Sequence, residues 1–323
     1  MNLNKFNHVM DEYYDLKIKQ MSQLTNHDVA VTYHLNTTKG SYVLKRLPSY
    51  IQDTETEGNL VKFLYENDIP VAQIIKSNRG TYSFSLNGEN YHLQEYIHGD
   101  IYDLNCGNEW FKDLSAQNLG KIQDVLSHIP KLKTGIIIEN FFTNEQINKA
   151  KQSYLNTLRK AKKSNDIMTI QDITNRLEYL KTIRNFTFDY SKFTCTNSHG
   201  DYYTSQLIYN DKKIYTIDWT DACHLPASWE LIMSFAYTDP KAKSGEIESN
   251  SLKRYIDSYS KNFSLNKYDL FNMSYLYFFQ LAVSNFYEPY EQLPREYLEI
   301  ARLTTRQLAW LNTNVDSLAS QLV

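Results

Sequence analysis

His199-Gly-Asp-Tyr-Tyr-Thr-Ser-Gln-Leu-Ile-Tyr-Asn-Asp-Lys-Lys-Ile-Tyr-Thr-Ile-Asp-Trp-Thr-Asp221 is the stretch on which the reading of this chain turns. Asp201 follows His199 and Gly200 on what reads as a short loop. An apolar alternation then runs from Leu207 to Tyr209, breaks at Asn210-Asp211, and resumes from Ile214 to Ile217, the pattern of a β-hairpin. Asp218 closes the second run. A lone aspartate after His-Gly reads as a turn residue. A second carboxylate at the far side of one hairpin changes that reading. Paired in this way, one acid can orient an attacking hydroxyl while the other holds the magnesium that bridges nucleotide phosphates.

The segment resembles the catalytic loop of the aminoglycoside phosphotransferase and choline kinase family, distant relatives of the protein kinases. There it reads H-G-D-x-x-x-x-N followed by I-D-[WF]. The resemblance implies that Asp201 positions the acceptor hydroxyl, that Asp218 ligates Mg2+, and that His199 is structural. Gln206 stands where the family carries an asparagine that binds a second metal ion. Glutamine presents the same amide oxygen one methylene further out, and Mg2+ asks for near-ideal octahedral geometry. Methylthioribose kinases resemble H-G-D-x-x-T-G-S and also lack the asparagine. Further on, His224-Leu-Pro-Ala-Ser-Trp-Glu-Leu resembles the family's P-x-x-[YW]-[DE]-L, which implies that Glu230 ties loop to helix, with a role on the acceptor side as the alternative.

Upstream, the pattern from about Val29 to Ile97 is mostly strand. Val29, Val31 and Tyr33 alternate with Ala30, Thr32 and His34, and Thr37-Thr-Lys-Gly40 turns into Ser41-Tyr-Val-Leu-Lys-Arg-Leu47. Val43 and Lys45 share one face of that strand; Tyr42 and Leu44 share the other. Leu60, Phe63 and Leu64 then fall at helical spacing, and the helix should stop before Ile69-Pro70. A second hairpin turns at Asn87-Gly88 and returns through Tyr91, Leu93 and Glu95. This order resembles the small lobe of the same family. It implies that Lys45 grips the nucleotide phosphates, that Glu57 pairs with it, and that Gln94, Glu95, Tyr96 and Ile97 form the hinge that meets the base. Each has a plainer reading: Lys45 as a solvated strand lysine beside Arg46, Glu57 as the third residue of a capping box begun by Thr54, and Glu55 as an alternative to Glu57. The first turn, near Leu24-Thr-Asn-His-Asp28, has no glycine from which a phosphate cradle could be read. No G-x-x-x-x-G-K-[ST] occurs, which sets aside the P-loop class.

From Glu109 onward the periodicity is helical, so the expected fold is α+β and protein-kinase-like with two lobes. Residues 1–97 would form a small β-sheet lobe with one helix that binds nucleotide, hinged at 94–97, and residues 98–323 a larger, mainly helical lobe with the catalytic loop and acceptor site. A net charge of -3 argues against a nucleic-acid binder. No apolar run is long enough to span a bilayer, and the N-terminus lacks a signal-peptide core, so a cytoplasmic protein is expected. Three scattered cysteines, Cys106, Cys195 and Cys223, suggest neither a disulfide framework nor a zinc site. The resemblance implies ATP or GTP with Mg2+ and a small-molecule hydroxyl acceptor. Tyr275, Tyr277, Phe286, Glu288, Tyr290 and Glu291 would suit a cationic acceptor, and serve equally as core aromatics and surface acids. Gln206 and the glycine-free turn keep a second reading open, a catalytically weak or inactive kinase-like protein that binds a nucleotide or metabolite.

Overall fold

Apolar alternation builds the first half of the chain. In a computed structural model that describes all residues except 1–2, 27–30, 50, 52, 133–141, 285–287 and 294, helix α1 (Leu3–Tyr14) is followed by β1 (Ile18–Asn26), β2 (Val31–Thr37), β3 (Gly40–Arg46), α2 (Thr56–Glu66), β4 (Ser83–Leu86), β5 (Glu89–Glu95) and β6 (Asp100–Ile101). The first five strands form one sheet in the order β1-β2-β3-β5-β4. Its turns carry the expected chemistry: Thr37 pairs with Gly40 across the first. At the second, Asn87 and Gly88 both take positive φ, +55° and +83°, as a tight two-residue hairpin requires. The part of the strand at Val29-Ala30 and the turn residues His27 and Asp28 lie outside the described residues.

Helix α1 adds a second helix to the one expected beside this sheet. Phe6, Val9, Met10 and Tyr14 recur at helical spacing and pack with Leu35, Leu44, Phe84, Tyr91 and Leu93 in one core. The opposite face of the sheet is thereby left to Val43, Lys45, His92 and Gln94, which the register sets side by side.

The remaining elements are α3 (Glu109–Ser127), α4 (Asn144–Ser164), α5 (Ile167–Ile183), β7 (Cys195–Ser198), β8 (Leu207–Asn210), β9 (Lys213–Thr216), β10 (Cys223–Pro226), α6 (Ala227–Thr238), α7 (Ser249–Tyr259), α8 (Lys267–Val283) and α9 (Arg295–Gln321). Caps fix several of their starts: Asn108 accepts from the Phe111 N–H at 3.1 Å, and Asn266 with Asp269 forms a capping box on α8. Helix α6 is buried on nearly every side, including Trp229, Glu230, Leu231 and Ile232. It is a central core helix, with β7 and β10 paired as a two-stranded ladder. No helix among the described residues is long and apolar enough to cross a membrane.

By contacts the chain divides into two units, residues 1–101 with 206–220, and residues 102–205 with 221–323. The β8–β9 hairpin belongs to the first. It pairs with β6, bridges to Val71 through Thr216, and its Thr216 N–H donates to the Pro70 carbonyl at 3.0 Å. Met10, fully buried in the α1 core, tests that packing. Met10→Ala should lower unfolding free energy in urea by about 3 kcal/mol. A loss below about 1 kcal/mol would mean that α1 is not part of the core.

Candidate active site

Register decides which side chains meet on the free face of the sheet. Lys45 stands opposite Thr32 on one side and His92 on the other. Its side chain is 4% exposed, so the ammonium must find oxygen partners. It donates to Asp218 Oδ1 and, at 2.7 Å, to Thr220 Oγ1, and it lies 3.8 Å from Glu57 Oε1. A solvated strand lysine is thus ruled out.

Glu57 occupies the first turn of α2, where the helix dipole favours a carboxylate. Its Oε1 accepts from the Trp219 N–H at 3.1 Å, and its Oε2 lies 3.4 Å from the Thr220 hydroxyl and 3.6 Å from His92 Nδ1. Glu55 is the N-cap of the helix and makes no side-chain cap bond, so Glu57 is not the partner in a capping box. Glu55 itself turns to β4, accepting from the Tyr82 N–H at 3.0 Å. Of the two glutamates, Glu57 is the one at the lysine. His92 is entirely buried, and burial holds its imidazole below the ordinary range against the pull of the Glu57 carboxylate.

Asp218 takes a left-handed backbone, φ +60°, an uncommon conformation for a residue with a side chain and one that gathers at functional sites. Its side chain is 37% exposed. Gln206 sits across the hairpin: its carbonyl accepts from the Ile217 N–H at 3.0 Å, which sets it beside the residue preceding Asp218. A carboxylate and an amide oxygen are both hard donors of the kind a magnesium ion takes.

The hinge candidates divide. Gln94 lies inside the ladder opposite Val43. Glu95 gives its N–H to the Gln73 carbonyl at 2.9 Å, and its carboxylate accepts from the Gln73 N–H at 3.1 Å. Tyr96 and Ile97 follow the end of the strand, the Tyr96 ring packed 4.4 Å from that of His34. Glu95, Tyr96 and Ile97 line a cavity of about 700 Å³ with Lys39, Tyr42 and Gln73; Lys45, Glu57 and Asp218 do not line it.

Asp201 stands in the other unit, on a loop held from below. Gly200 has φ +86°, and a Cβ there would fall 2.2 Å from the Asp221 carbonyl oxygen, so the position tolerates no side chain. The Asp201 N–H donates to His199 Nδ1 at 3.2 Å, and His199 is fully buried. Glu230 comes up from α6 to meet the loop. It accepts from the Ser198 hydroxyl and from the Tyr202 N–H at 3.2 Å, while Gln123 of α3 donates to Ser198 Oγ at 2.8 Å. Burial pushes the Glu230 carboxyl up to about 7 even so. Sequence reasoning missed Thr220 and His92. Alternation on β5 could have found His92, since it shares a face with Gln94; nothing in the spacing marks Thr220.

Glu230 carries a pH signature. The folded state keeps this proton up to about pH 7, whereas the ordinary value is 4.5. Between those values the folded chain holds more protons than the unfolded one, so the group's contribution to stability falls as pH rises through the window and is flat above it. Glu230→Gln cannot ionise. The difference in Tm between variant and wild type should shift in the variant's favour from pH 4.5 to 7; a constant difference would refute the assignment.

The sequence model of the phosphotransferase enzyme family (APH) matches residues 25–261. No curated protein matches the chain in sequence. Among solved structures, an amicoumacin kinase in complex with AMP-PNP and Ca2+ superimposes with a TM-score of 0.66 at 13% identity, over 98% of this chain and 94% of that one. A spectinomycin phosphotransferase bound to ADP and spectinomycin gives 0.59 at 15% identity, over 99% and 98%. A choline kinase from Cryptosporidium parvum Iowa II gives 0.60 at 10% identity, over 99% and 95%. At such identities these likenesses speak for the fold, which is kinase-like. Because the family model spans most of the chain, from ahead of β2 to beyond α7, this protein belongs to the phosphotransferase enzyme family (APH) and is a phosphotransferase.

Proposed function

We propose that the chain transfers the γ-phosphate of ATP, or of GTP, to a hydroxyl of a small molecule in a Mg2+-dependent reaction. The observation that carries this reading is the buried Lys45 ammonium, ringed by Asp218, Thr220 and Glu57. A lysine held this way is a fixed positive charge that can receive phosphate oxygens without first being ordered. Glu57 keeps it in place. Asp218 and Gln206 would hold the metal ion, which supplies charge neutralisation at the phosphates.

Asp201 has the acceptor role. Its carboxylate takes a hydrogen bond from the incoming hydroxyl and points that oxygen at phosphorus. Positioning matters more than proton removal here, because the transition state for phosphoryl transfer is loose. Rigidity of the loop is therefore part of the chemistry, and the bonds from His199 and Glu230 provide it. For the base, Tyr96 and Ile97 are the hinge positions that lie beyond the strand-pairing bonds of Gln94 and Glu95.

Gln206 favours a second reading, a nucleotide-binding protein with little turnover, and one experiment separates the two. Purified protein is titrated with ATP and Mg2+ by calorimetry and then assayed for ATP consumption over a panel of hydroxyl-bearing acceptors. Asp201→Ala should reduce turnover by about 10³-fold while leaving nucleotide affinity near that of wild type. Asp218→Ala should instead weaken Mg·ATP binding. Unchanged turnover in Asp201→Ala would remove that residue from the mechanism, and binding without consumption across the panel would favour the second reading.

A further inference from the structure

We infer that Thr220 is a positioning residue for phosphoryl transfer: its hydroxyl anchors the Lys45 ammonium and orients the Asp218 carboxylate. The inference rests on the phosphate-binding role proposed above for Lys45.

An ammonium has three protons to give. Here one goes to Asp218 Oδ1 and one to Thr220 Oγ1 at 2.7 Å. Glu57, at 3.8 Å, attracts the charge without a direct hydrogen bond. With Lys45 donating into it, the threonine hydroxyl has its own proton free to donate. Among the described residues two carboxylates are in reach: Asp218 Oδ1 at 2.8 Å and Glu57 Oε2 at 3.4 Å. The shorter contact takes the proton. One hydroxyl thus accepts from the lysine and donates to the aspartate, closing a ring of three side chains.

The backbone sets this ring. Asp218 in its left-handed conformation turns the chain, the Trp219 N–H reaches Glu57 Oε1 at 3.1 Å, and the Trp219 ring is buried with its Nε1 donating to the Thr216 carbonyl at 3.3 Å. Thr220 then presents its hydroxyl two residues after the acid it serves. Besides this hydroxyl, Lys45 rests on the Asp218 and Glu57 carboxylates. A neutral anchor adds a hold on the ammonium without adding a further negative charge beside it.

Calorimetric titration with ATP in EDTA reads the lysine's contribution with no divalent cation present. Thr220→Val keeps the shape and removes the hydroxyl; it should raise Kd about tenfold. Thr220→Ala should do the same, and Thr220→Ser should stay within about threefold of wild type. In a Lys45→Met background Thr220→Val should cost nothing further, because the two act as one unit. Wild-type affinity in Thr220→Val or Thr220→Ala, a full loss in Thr220→Ser, or additive losses in the double variant would each overturn the inference alone. Wild-type affinity in Lys45→Met would overturn the lysine's role and the inference with it.

Discussion

Removing a lysine ammonium from water is tolerable only when oxygens replace the solvent. That demand organises the first unit of this protein. Lys45 comes from β3, Glu57 from the start of α2, and Asp218 and Thr220 from the segment that follows β9. Three pieces of chain, the last of them distant in sequence from the other two, must reach one point with hydrogen-bonding accuracy. The strands around them are correspondingly regular: β3 pairs on both sides, and the hairpin is tied through Thr216 to Pro70 and Val71. Asp218 makes the turn by taking the left-handed backbone, which aspartate adopts more readily than most residues.

The second unit solves the mirror-image problem. Its central helix α6 carries one acid, Glu230, into a core of Trp229, Leu231, Ile232 and Phe235. A carboxyl there needs donors, and the loop bearing Asp201 supplies them through Ser198 and Tyr202. Satisfying the buried acid and ordering the loop are one event. That explains why the backbone beside Asp201 has no slack: Gly200 is pressed against Asp221, with no room for a methyl group.

Features with local causes were legible in the sequence. The Asn87-Gly88 hairpin, the Thr37–Gly40 turn, helix α2 and the helices after Glu109 follow from turn chemistry and periodicity, and the family segment at residues 199–230 from direct comparison of motifs. What stayed hidden depends on tertiary contact. The sequence offers Glu57 as the partner for Lys45 with Glu55 as a neighbouring alternative; the path of the chain before α2 sends Glu55 to Tyr82 and Glu57 to Lys45. The pairing of β7 with β10 joins strands separated by a hairpin. Thr220 looks like filler because a hydroxyl has no pattern of its own. Its meaning comes from what stands within 3 Å.

The tyrosine-rich composition can be judged the same way. Of the cluster at residues 275–291, Phe286 lies outside the described residues, and the others described in detail have structural partners. Tyr277 is fully buried and donates to Gln307 at 2.7 Å, Tyr275 to Asp316 at 2.7 Å, and Tyr290 to Asp172 at 2.5 Å; Glu288 pairs with Lys160. These contacts join helices to one another, so core aromatics and surface acids describe that cluster better than a cage for a cation. The tyrosines nearer the proposed chemistry are different ones. Tyr203 follows Asp201 on the same loop and packs its ring 5.5 Å from that of Tyr237. Burial pushes the Tyr237 hydroxyl up, and the charges of Tyr203 and Asp201 push it further. Asp201 thus has an aromatic pair within electrostatic reach, one ring from its own loop and one from α6.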